Sequence, residues 1–189
     1  QQFANAARTS GESLLSLINE ILDFSKVEAS KVELEQVDFN LTELIDDICY
    51  LQGEPASRKG LTLNNICHPL TPCKLVGDPT KIRQVVMNLV SNAIKFTERG
   101  SVTLRLTPLL APDGFARIAF EVQDTGMGIP RAEQTKIFEP FYTTKPQGRG
   151  TGLGLSICYG IVEDHRGRLE VESQPGLGAT FRVFLPALP

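Results

Sequence analysis

The chain has 189 residues, of which 41% are hydrophobic and 22% charged, and its formal net charge is −3. This composition predicts a packed core and excludes a largely disordered chain. The slight negative charge argues against a nucleic-acid-binding protein, which usually carries a strong basic excess. No apolar run reaches the roughly 18 residues that a membrane span needs. The first residues lack the basic start and apolar centre of a signal peptide, so we expect a cytoplasmic chain without direct membrane contact.

The four cysteines form no CxxC pair, although His68 lies between two of them. A structural zinc site usually needs such pairs or several nearby histidines. We therefore expect free thiols in a reducing compartment.

Residues 10–28 predict an amphipathic helix, because apolar residues recur at the spacing of a helical seam: Leu14, Leu17, Ile18, Ile21 and Phe24. Such a stripe needs a partner, which the rest of this chain or a second copy of it would supply. Residues 32–39 then alternate like a strand or an extended linker.

A second helix is predicted after Asn40, which forms a capping-box-like pair with Glu43. Gly53 and Pro55 should bend or interrupt this helix, and Gly60 should end it. A strand is expected at 61–66, followed by a loop at 68–77.

The clearest helix is predicted at 79–96, since Asp78 is a good N-cap and Pro79 suits the first helical position. Alternating strands follow at 101–107 and 115–123, with a turn around Asp113-Gly114. A Gly/Pro-rich stretch covers 125–154, and the last elements are a helix at 153–165 and strands at 168–173 and 179–185. This order predicts an α+β fold, a two-layer sandwich with a mixed, largely antiparallel sheet covered on one face by helices.

Asn88, Asn92 and Lys95 lie at i, i+4 and i+7 of the helix at 79–96. They fall within about 60° of one another, opposite the apolar stripe. Amide oxygens suit Mg²⁺, and a lysine is a point charge for a phosphate. The polar outer face of an ordinary amphipathic helix would show the same pattern.

Asp124 ends an alternating strand and runs into Gly126 and Gly128. An ionised carboxylate only accepts hydrogen bonds, so it can receive the exocyclic amine of adenine but not the carbonyl of guanine. The glycines let the backbone approach the ring. A simple turn after a strand remains the alternative.

A glycine-rich segment, residues 143–155, opens the last helix. Backbone N–H groups at such a helix start attract phosphates, and Lys145 and Arg149 add cations. The Walker pattern is absent, and Leu155 stands where a dinucleotide-binding fingerprint needs its third glycine. The segment 143–152 is therefore expected to be a mobile lid, with Phe138 and Phe141 either packed beneath it or in the core.

Together these segments resemble the nucleotide site of sensor histidine kinases. QVVMNLVSNAIKFT resembles the asparagine box, DTGMGI the adenine-binding aspartate box, FEPF the phenylalanine box and GRGTGLGL the lid glycine box. GLGATF resembles a last glycine element. LINEILDFSKVEASKVELE resembles the second helix and linker of the dimerisation and phosphoacceptor domain, in the version of hybrid kinases.

The resemblance implies ATP and Mg²⁺ as cofactors. It makes Asn92 the metal ligand, Asn88 a second asparagine near metal and phosphates, and Asp124 the adenine reader. The remaining nucleotide contacts would be Lys95, Gly126, Gly128, Lys145, Gly150, Thr151, Gly152, Leu153, Gly154 and Thr180. The residues expected to act in catalysis are Asn88, Lys95 and Arg149.

The resemblance also implies an organisation. Residues 1–30 would be the second helix of the dimerisation domain, 31–40 a linker and 41–189 the catalytic ATP-binding domain. The expected partners are ATP, a second copy in the parent protein and a response regulator or receiver domain, with no nucleic acid. A membrane anchor of the parent stays open, and the reaction of the parent would transfer the γ-phosphoryl of ATP to a histidine.

The chain departs from the family pattern at two points. The acceptor histidine has no counterpart, because neither His68 nor His165 is followed by the pattern that the family requires. Ala179 stands where many relatives carry Ser or Thr. Two alternatives stay open: an ATP hydrolase of the same superfamily, or a nucleotide-binding interaction module without kinase activity. Hydrolases place a glutamate at the position of Asn88, and an amide cannot take a proton from water.

Overall fold

The computed structural model describes residues 34–110, 116–144 and 150–186. It also describes seven separate positions of the amino-terminal helix: Gly11, Leu14, Leu15, Ile18, Ile21, Leu22 and Ser25. These seven are helical and exposed, as the predicted helix at 10–28 requires, whereas Leu17 and Phe24 lie outside the described residues. Within the described residues, no helix is both long and apolar enough to cross a membrane.

The main sheet has five strands in the order β2-β4-β5-β7-β6. The strands are β2 (Thr62–Cys67), β4 (Ser101–Leu110), β5 (Ala116–Asp124), β6 (Arg168–Ser173) and β7 (Ala179–Pro186). Only β2 and β4 pair in parallel, and the other neighbours are antiparallel. The predicted mixed, largely antiparallel sheet is therefore confirmed.

Three helices complete the sandwich: α1 (Leu41–Arg58), α2 (Pro79–Phe96) and α3 (Gly154–Asp164). Alternate strand residues such as Leu104, Phe120 and Val183 are buried in the same core cluster as the apolar faces of these helices. Because side chains alternate along a strand, the intervening residues face away from this core. The bounds of α2 agree with the predicted helix to the residue.

A small second sheet corrects the predicted loop at 68–77. Strands β1 (Val37–Asn40) and β3 (Lys74–Gly77) pair antiparallel, with Phe39 opposite Leu75. Two segments of four residues far apart in the chain form these strands. Strand β1 overlaps the end of the alternating segment at 32–39, whereas β3 is too short to show a period of its own. The pairing joins the predicted linker to the start of α2.

The predicted break in α1 is wrong, because the helix continues through Pro55 to Arg58. Proline lacks one N–H and therefore removes one hydrogen bond of the helix. Ala56 beyond it is buried, and Arg58 pairs with Glu54 across one turn, so contacts on both sides of Pro55 hold the helix together. The helix ends as predicted, since Gly60 follows it with a φ of +69°.

Candidate functional site

The polar face of α2 carries the first group of predicted residues. Asn88 and Asn92 are half-buried and Lys95 is exposed. The Asn92 Nδ2 donates to Asn88 Oδ1 at 2.7 Å. This bond fixes both amides and leaves Asn92 Oδ1 to accept a hydrogen bond or to coordinate a cation.

The start of α3 lies against the Asn88 amide. A Cβ at Gly154 would lie 2.6 Å from Asn88 Nδ2 and 3.0 Å from its Oδ1, so only glycine permits this approach. Leu153 is buried in the core, and its N–H is bonded to the hydroxyl of Thr151 at 3.2 Å. The positive end of the α3 dipole therefore lies beside the amide face of α2, and the chemistry of these two features suits an anion and its counter-ion.

Asp124 ends β5 at the other side of the site and is only 7% exposed. Its Oδ1 accepts the N–H of Gly126 at 2.8 Å, and the N–H of Ala179 also bonds to this carboxylate. Burial raises the pKa of Asp124, and these two N–H bonds act in the opposite direction. The result is a buried acceptor whose charged form is stabilised by two backbone donors.

The loop that follows Asp124, residues 125–128, packs against the end of α2 and is called the Asp124 loop below. A Cβ at Gly126 would lie 2.6 Å from the carbonyl oxygen of Phe96 and 3.0 Å from Thr97 Oγ1. Thr97 is fully buried and its hydroxyl donates to the carbonyl of Ala93 at 2.7 Å. Gly128, with a φ of +70°, packs against the backbone of Gln174. The adenine and phosphate sides of the predicted site therefore share α2 as a common support.

The two phenylalanines before the glycine-rich segment have different environments. Phe138 packs against the core, with its ring 5.7 Å from Tyr159 and 6.5 Å from Phe181. Phe141 is 64% exposed, has a φ of +64°, and its N–H donates to the carbonyl of Gly152 at 3.0 Å. Gly152 packs directly on the backbone of Phe141 and Tyr142. Phe138 is thus a core aromatic, whereas Phe141 contacts the glycine-rich segment through its backbone.

The outcome differs among the remaining predicted residues. Lys145, Gly148 and Arg149 lie outside the described residues, while Gly150 is described and exposed. Thr180 pairs in register with Gln123, so alternation puts its side chain on the sheet face opposite to that of Asp124 and Ala179. The neighbouring Ala179 contributes its backbone N–H instead, which does not depend on the Ser or Thr of many relatives.

Thr97 and Lys59 contact the end of α2 but are not among the predicted site residues. Thr97 could have been found, because it follows the predicted helix at the position of a capping residue. Lys59 donates to backbone carbonyls at the end of α2 from 35 or more residues away, and no local pattern marks it.

The two histidines lie apart from the site. His68 is exposed and its Nδ1 accepts the N–H of Leu70 at 3.2 Å. His165 caps α3, and its Nδ1 lies 2.7 Å from the carbonyl of Ile161. The His165 Nε2 is buried and has no hydrogen-bond partner within the part of the chain that the structure describes.

Residues 77–189 match the protein family described as histidine kinase-, DNA gyrase B-, and HSP90-like ATPase. Among curated proteins, the chain is 40% identical over 180 residues to the sensor protein GacS of Pseudomonas syringae pv. syringae. The aligned residues make up 93% of this chain and 20% of GacS. The chain thus spans about a fifth of the length of the curated relatives that it matches.

Solved structures agree with this match. Full-length ShkA in complex with AMPPNP superposes with a TM-score of 0.88 at 32% identity, covering 100% of this chain and 39% of ShkA. The catalytic domain of histidine kinase ThkA gives 0.70 at 35% identity, covering 81% of this chain and 96% of that domain. ThkA in complex with the response regulator TrrA gives 0.75 at 28% identity, covering 100% of this chain and 52% of ThkA.

Proposed function

Because this chain belongs to the family of histidine kinase-, DNA gyrase B- and HSP90-like ATPases, we propose that it is the catalytic part of a protein histidine kinase. In this proposal residues 41–189 bind Mg²⁺–ATP, and the longer protein transfers the γ-phosphoryl group to a histidine outside this chain. The observation that carries the proposal is the buried Asp124, which shares the support of α2 with the Asn88 and Asn92 amides.

Asp124 selects the base in this proposal. Its carboxylate is buried and accepts the N–H groups of Gly126 and Ala179, so its position is set before a nucleotide binds. A carboxylate accepts the exocyclic amine of adenine, whereas the carbonyl of guanine would face a second acceptor. The site therefore takes ATP in preference to GTP.

The Asn88–Asn92 pair fits a hard cation. Their amide oxygens are of the type that Mg²⁺ accepts. Because Asn88 Oδ1 already accepts the Asn92 amide, Asn92 Oδ1 is the proposed metal ligand. A magnesium ion, when bound, would neutralise charge on the phosphates. Lys95, one turn further along the exposed part of the same helix, adds a positive charge toward the phosphates.

The α3 start holds the phosphate chain. Gly154 places the first turn of this helix against Asn88, where its N–H groups and dipole favour negative charge. Lys145 and Arg149 remain predicted phosphate contacts. Phosphoryl transfer depends mainly on such positioning and charge stabilisation, because the protein does little covalent chemistry itself.

Asn88 favours transfer to a histidine over hydrolysis. Its amide is already hydrogen-bonded to Asn92 and has no basic group to take a proton from water. An attacking water would therefore be poorly activated. The acceptor must come from elsewhere, since His165 turns Nε2 into the protein and His68 lies on a loop after β2.

The domain boundaries are part of the proposal. The family match begins at residue 77, but Leu41, Ile45 and Ile48 of α1 lie in the same core cluster as α2 and the sheet. We therefore start the catalytic domain at residue 41, with 31–40 as the linker and 1–30 as a dimerisation helix. The complex of ThkA with TrrA supports a response regulator as a partner of the longer protein.

The test is calorimetry with a non-hydrolysable ATP analogue and Mg²⁺ on the 189-residue chain. The wild-type chain should bind the ATP analogue more tightly than the matching GTP analogue. Asp124→Asn should weaken ATP binding by about 1–3 kcal/mol, because the amide places a donor against the adenine amine. The exposed Asp38 offers a control of the same chemistry, and Asp38→Asn should leave the affinity unchanged. Equal affinities for all three chains would refute the adenine role.

A further inference from the structure

One side chain from outside α2 engages three carbonyls at its carboxyl end. The Lys59 ammonium donates to the carbonyl oxygens of Ile94, Lys95 and Thr97, at 2.7, 2.8 and 3.1 Å. The last carbonyls of a helix have no partner within it and form the negative end of its dipole. Because lysine combines three donors with one positive charge, Lys59 satisfies these carbonyls and the dipole together.

Lys59 reaches α2 from a fixed point. It is the C-cap residue of α1, and its backbone N–H is bonded to the carbonyls of Ala56 and Ser57. Gly60 follows with a φ of +69° and turns the chain into β2. The ammonium is therefore held between the end of α1 and the end of α2, and it joins two elements that the chain order keeps apart.

The turn that Lys59 holds is also the support of the Asp124 loop. The carbonyl of Phe96, between two carbonyls bonded by Lys59, limits the space beside Gly126, as does Thr97 Oγ1. The Gly126 N–H in turn donates to Asp124 Oδ1. A displacement of this turn would move Gly126 and with it the carboxylate that faces the base.

We propose that Lys59 is a positioning residue that sets the adenine side of the nucleotide site. Lys59 acts through the end of α2 and the Asp124 loop, so its effect falls on recognition of the base more than of the phosphates. The phosphate side depends on Asn88, which precedes Ile94 by nearly two turns of α2, and on Gly154, which lies against the Asn88 amide. This inference rests on the proposed ATP site and assigns a further residue to it.

The experiment compares three ligands on the 189-residue chain by calorimetry with Mg²⁺: ATP, adenosine and inorganic tripolyphosphate. Lys59→Met keeps the length of the side chain and removes its charge and donors. We expect the affinities for adenosine and ATP to fall about tenfold, which is the size of effect expected for the loss of a charged helix cap. The affinity for tripolyphosphate should change less than about twofold. Lys74→Met, at an exposed position of β3, is the matched control and should change none of the three affinities.

Two further variants separate positioning from stability alone. Lys59→Arg restores a cation with several donors and should recover most of the adenosine affinity. Lys59→Gln keeps amide donors without the charge, should give an intermediate loss, and carries the comparison if Lys59→Met does not fold. Unchanged adenosine affinity in a folded Lys59→Met or Lys59→Gln chain, or an equal loss for tripolyphosphate in that chain, would overturn the inference. A wild-type chain that binds no ATP would instead refute the proposed function.

Discussion

At the scale of single residues, Asp124 connects binding to stability. Burial raises the pKa of this carboxyl above its ordinary value of 3.8. The folded chain therefore holds the proton more tightly than the unfolded chain, and the contribution of Asp124 to folding falls as pH rises from that value through the raised pKa. Nucleotide binding has the opposite dependence, because only the ionised form accepts the adenine amine.

Asp124→Asn should separate these two effects. The amide cannot ionise, so the free energy of unfolding of the variant relative to the wild type should increase as pH rises through the raised pKa. Denaturant unfolding of both nucleotide-free chains between acid and neutral pH measures this difference, and other titrating groups cancel. A difference that stays flat or slopes the other way would show that burial does not control this carboxyl. ATP affinity of the wild type should fall over the same pH range as pH is lowered.

Gly154 sets the contact between α3 and the amide pair. A methyl group there would displace the Asn88 amide and break its 2.7 Å bond with Asn92. Gly154→Ala should weaken Mg²⁺–ATP binding about tenfold by the loss of one well-placed hydrogen-bonded group. Alanine favours a helix over glycine by roughly 0.5–1 kcal/mol. This gain should offset the lost contact with Asn88, so the unfolding midpoint should change little.

Gly53→Ala is the control for this change, because Gly53 lies inside α1 with no atom within 4 Å of the added methyl group. This variant should gain stability and keep the affinity for ATP. Equal affinities of the Gly154 and Gly53 variants, measured by calorimetry, would contradict the close contact at Asn88.

At the scale of elements, α2 is held at both ends by charged side chains. Lys59 binds its last carbonyls, and Asp78 caps its first turn. Asp78 is 3% exposed; its Oδ1 accepts the N–H of Lys81 at 2.9 Å and its Oδ2 that of Glu35 at 3.3 Å. One carboxylate thus joins the helix that carries Asn88 and Asn92 to the linker just before β1.

Two substitutions separate the cap from the linker contact. Asp78→Ala loses both and should lower the free energy of unfolding by about 1–2 kcal/mol. Asp78→Asn keeps an acceptor for the N–H of Lys81 but turns a donor toward the N–H of Glu35. It should therefore lower the free energy of unfolding by less than Asp78→Ala does. Hydrogen exchange in β1 and β3 should accelerate in both variants. If exchange there stayed at the wild-type rate in Asp78→Asn, the carboxylate would have no role in holding the linker.

At the scale of the whole molecule, the sheet and three helices carry the proposed nucleotide site, and no acceptor is proposed among the residues that the structure describes. A nucleophile for phosphoryl transfer must lie about 3–3.5 Å from the γ-phosphate. His68 and His165 lie after β2 and at the end of α3, and neither shows an acidic partner among the described hydrogen bonds. Binding and transfer should therefore be separable in this chain.

Incubation with γ-labelled ATP tests this separation. The 189-residue chain should bind ATP and acquire no acid-labile label, and hydrolysis should be slow because Asn88 cannot act as a base. Addition of a segment that carries the missing acceptor helix should restore labelling. Stoichiometric label on this chain that His68→Ala or His165→Ala removes would show that it contains its own acceptor.

Much of the architecture could be predicted from local patterns. Helix α2 follows from an N-cap, a proline at its first position and an apolar stripe, and all three are read within 18 residues. The two long hairpin strands follow from alternation. Strand β3 could not be predicted, because its four residues form a strand only through pairing with β1. The continuity of α1 through Pro55 likewise depends on buried contacts that a propensity does not include.

The candidate site divides in the same way. The candidate groups of the site could be predicted from the sequence, because each lies within one local segment. They are the amides and lysine on one helix face, the acid before two glycines, and the glycine-rich helix start. The contacts between these groups could be known only from the tertiary structure. It placed Gly154 against Asn88, turned Thr180 to the opposite face from Asp124, and brought Lys59 to the end of α2. These contacts join residues dozens of positions apart, and their distances depend on how the layers pack, which no local spacing specifies.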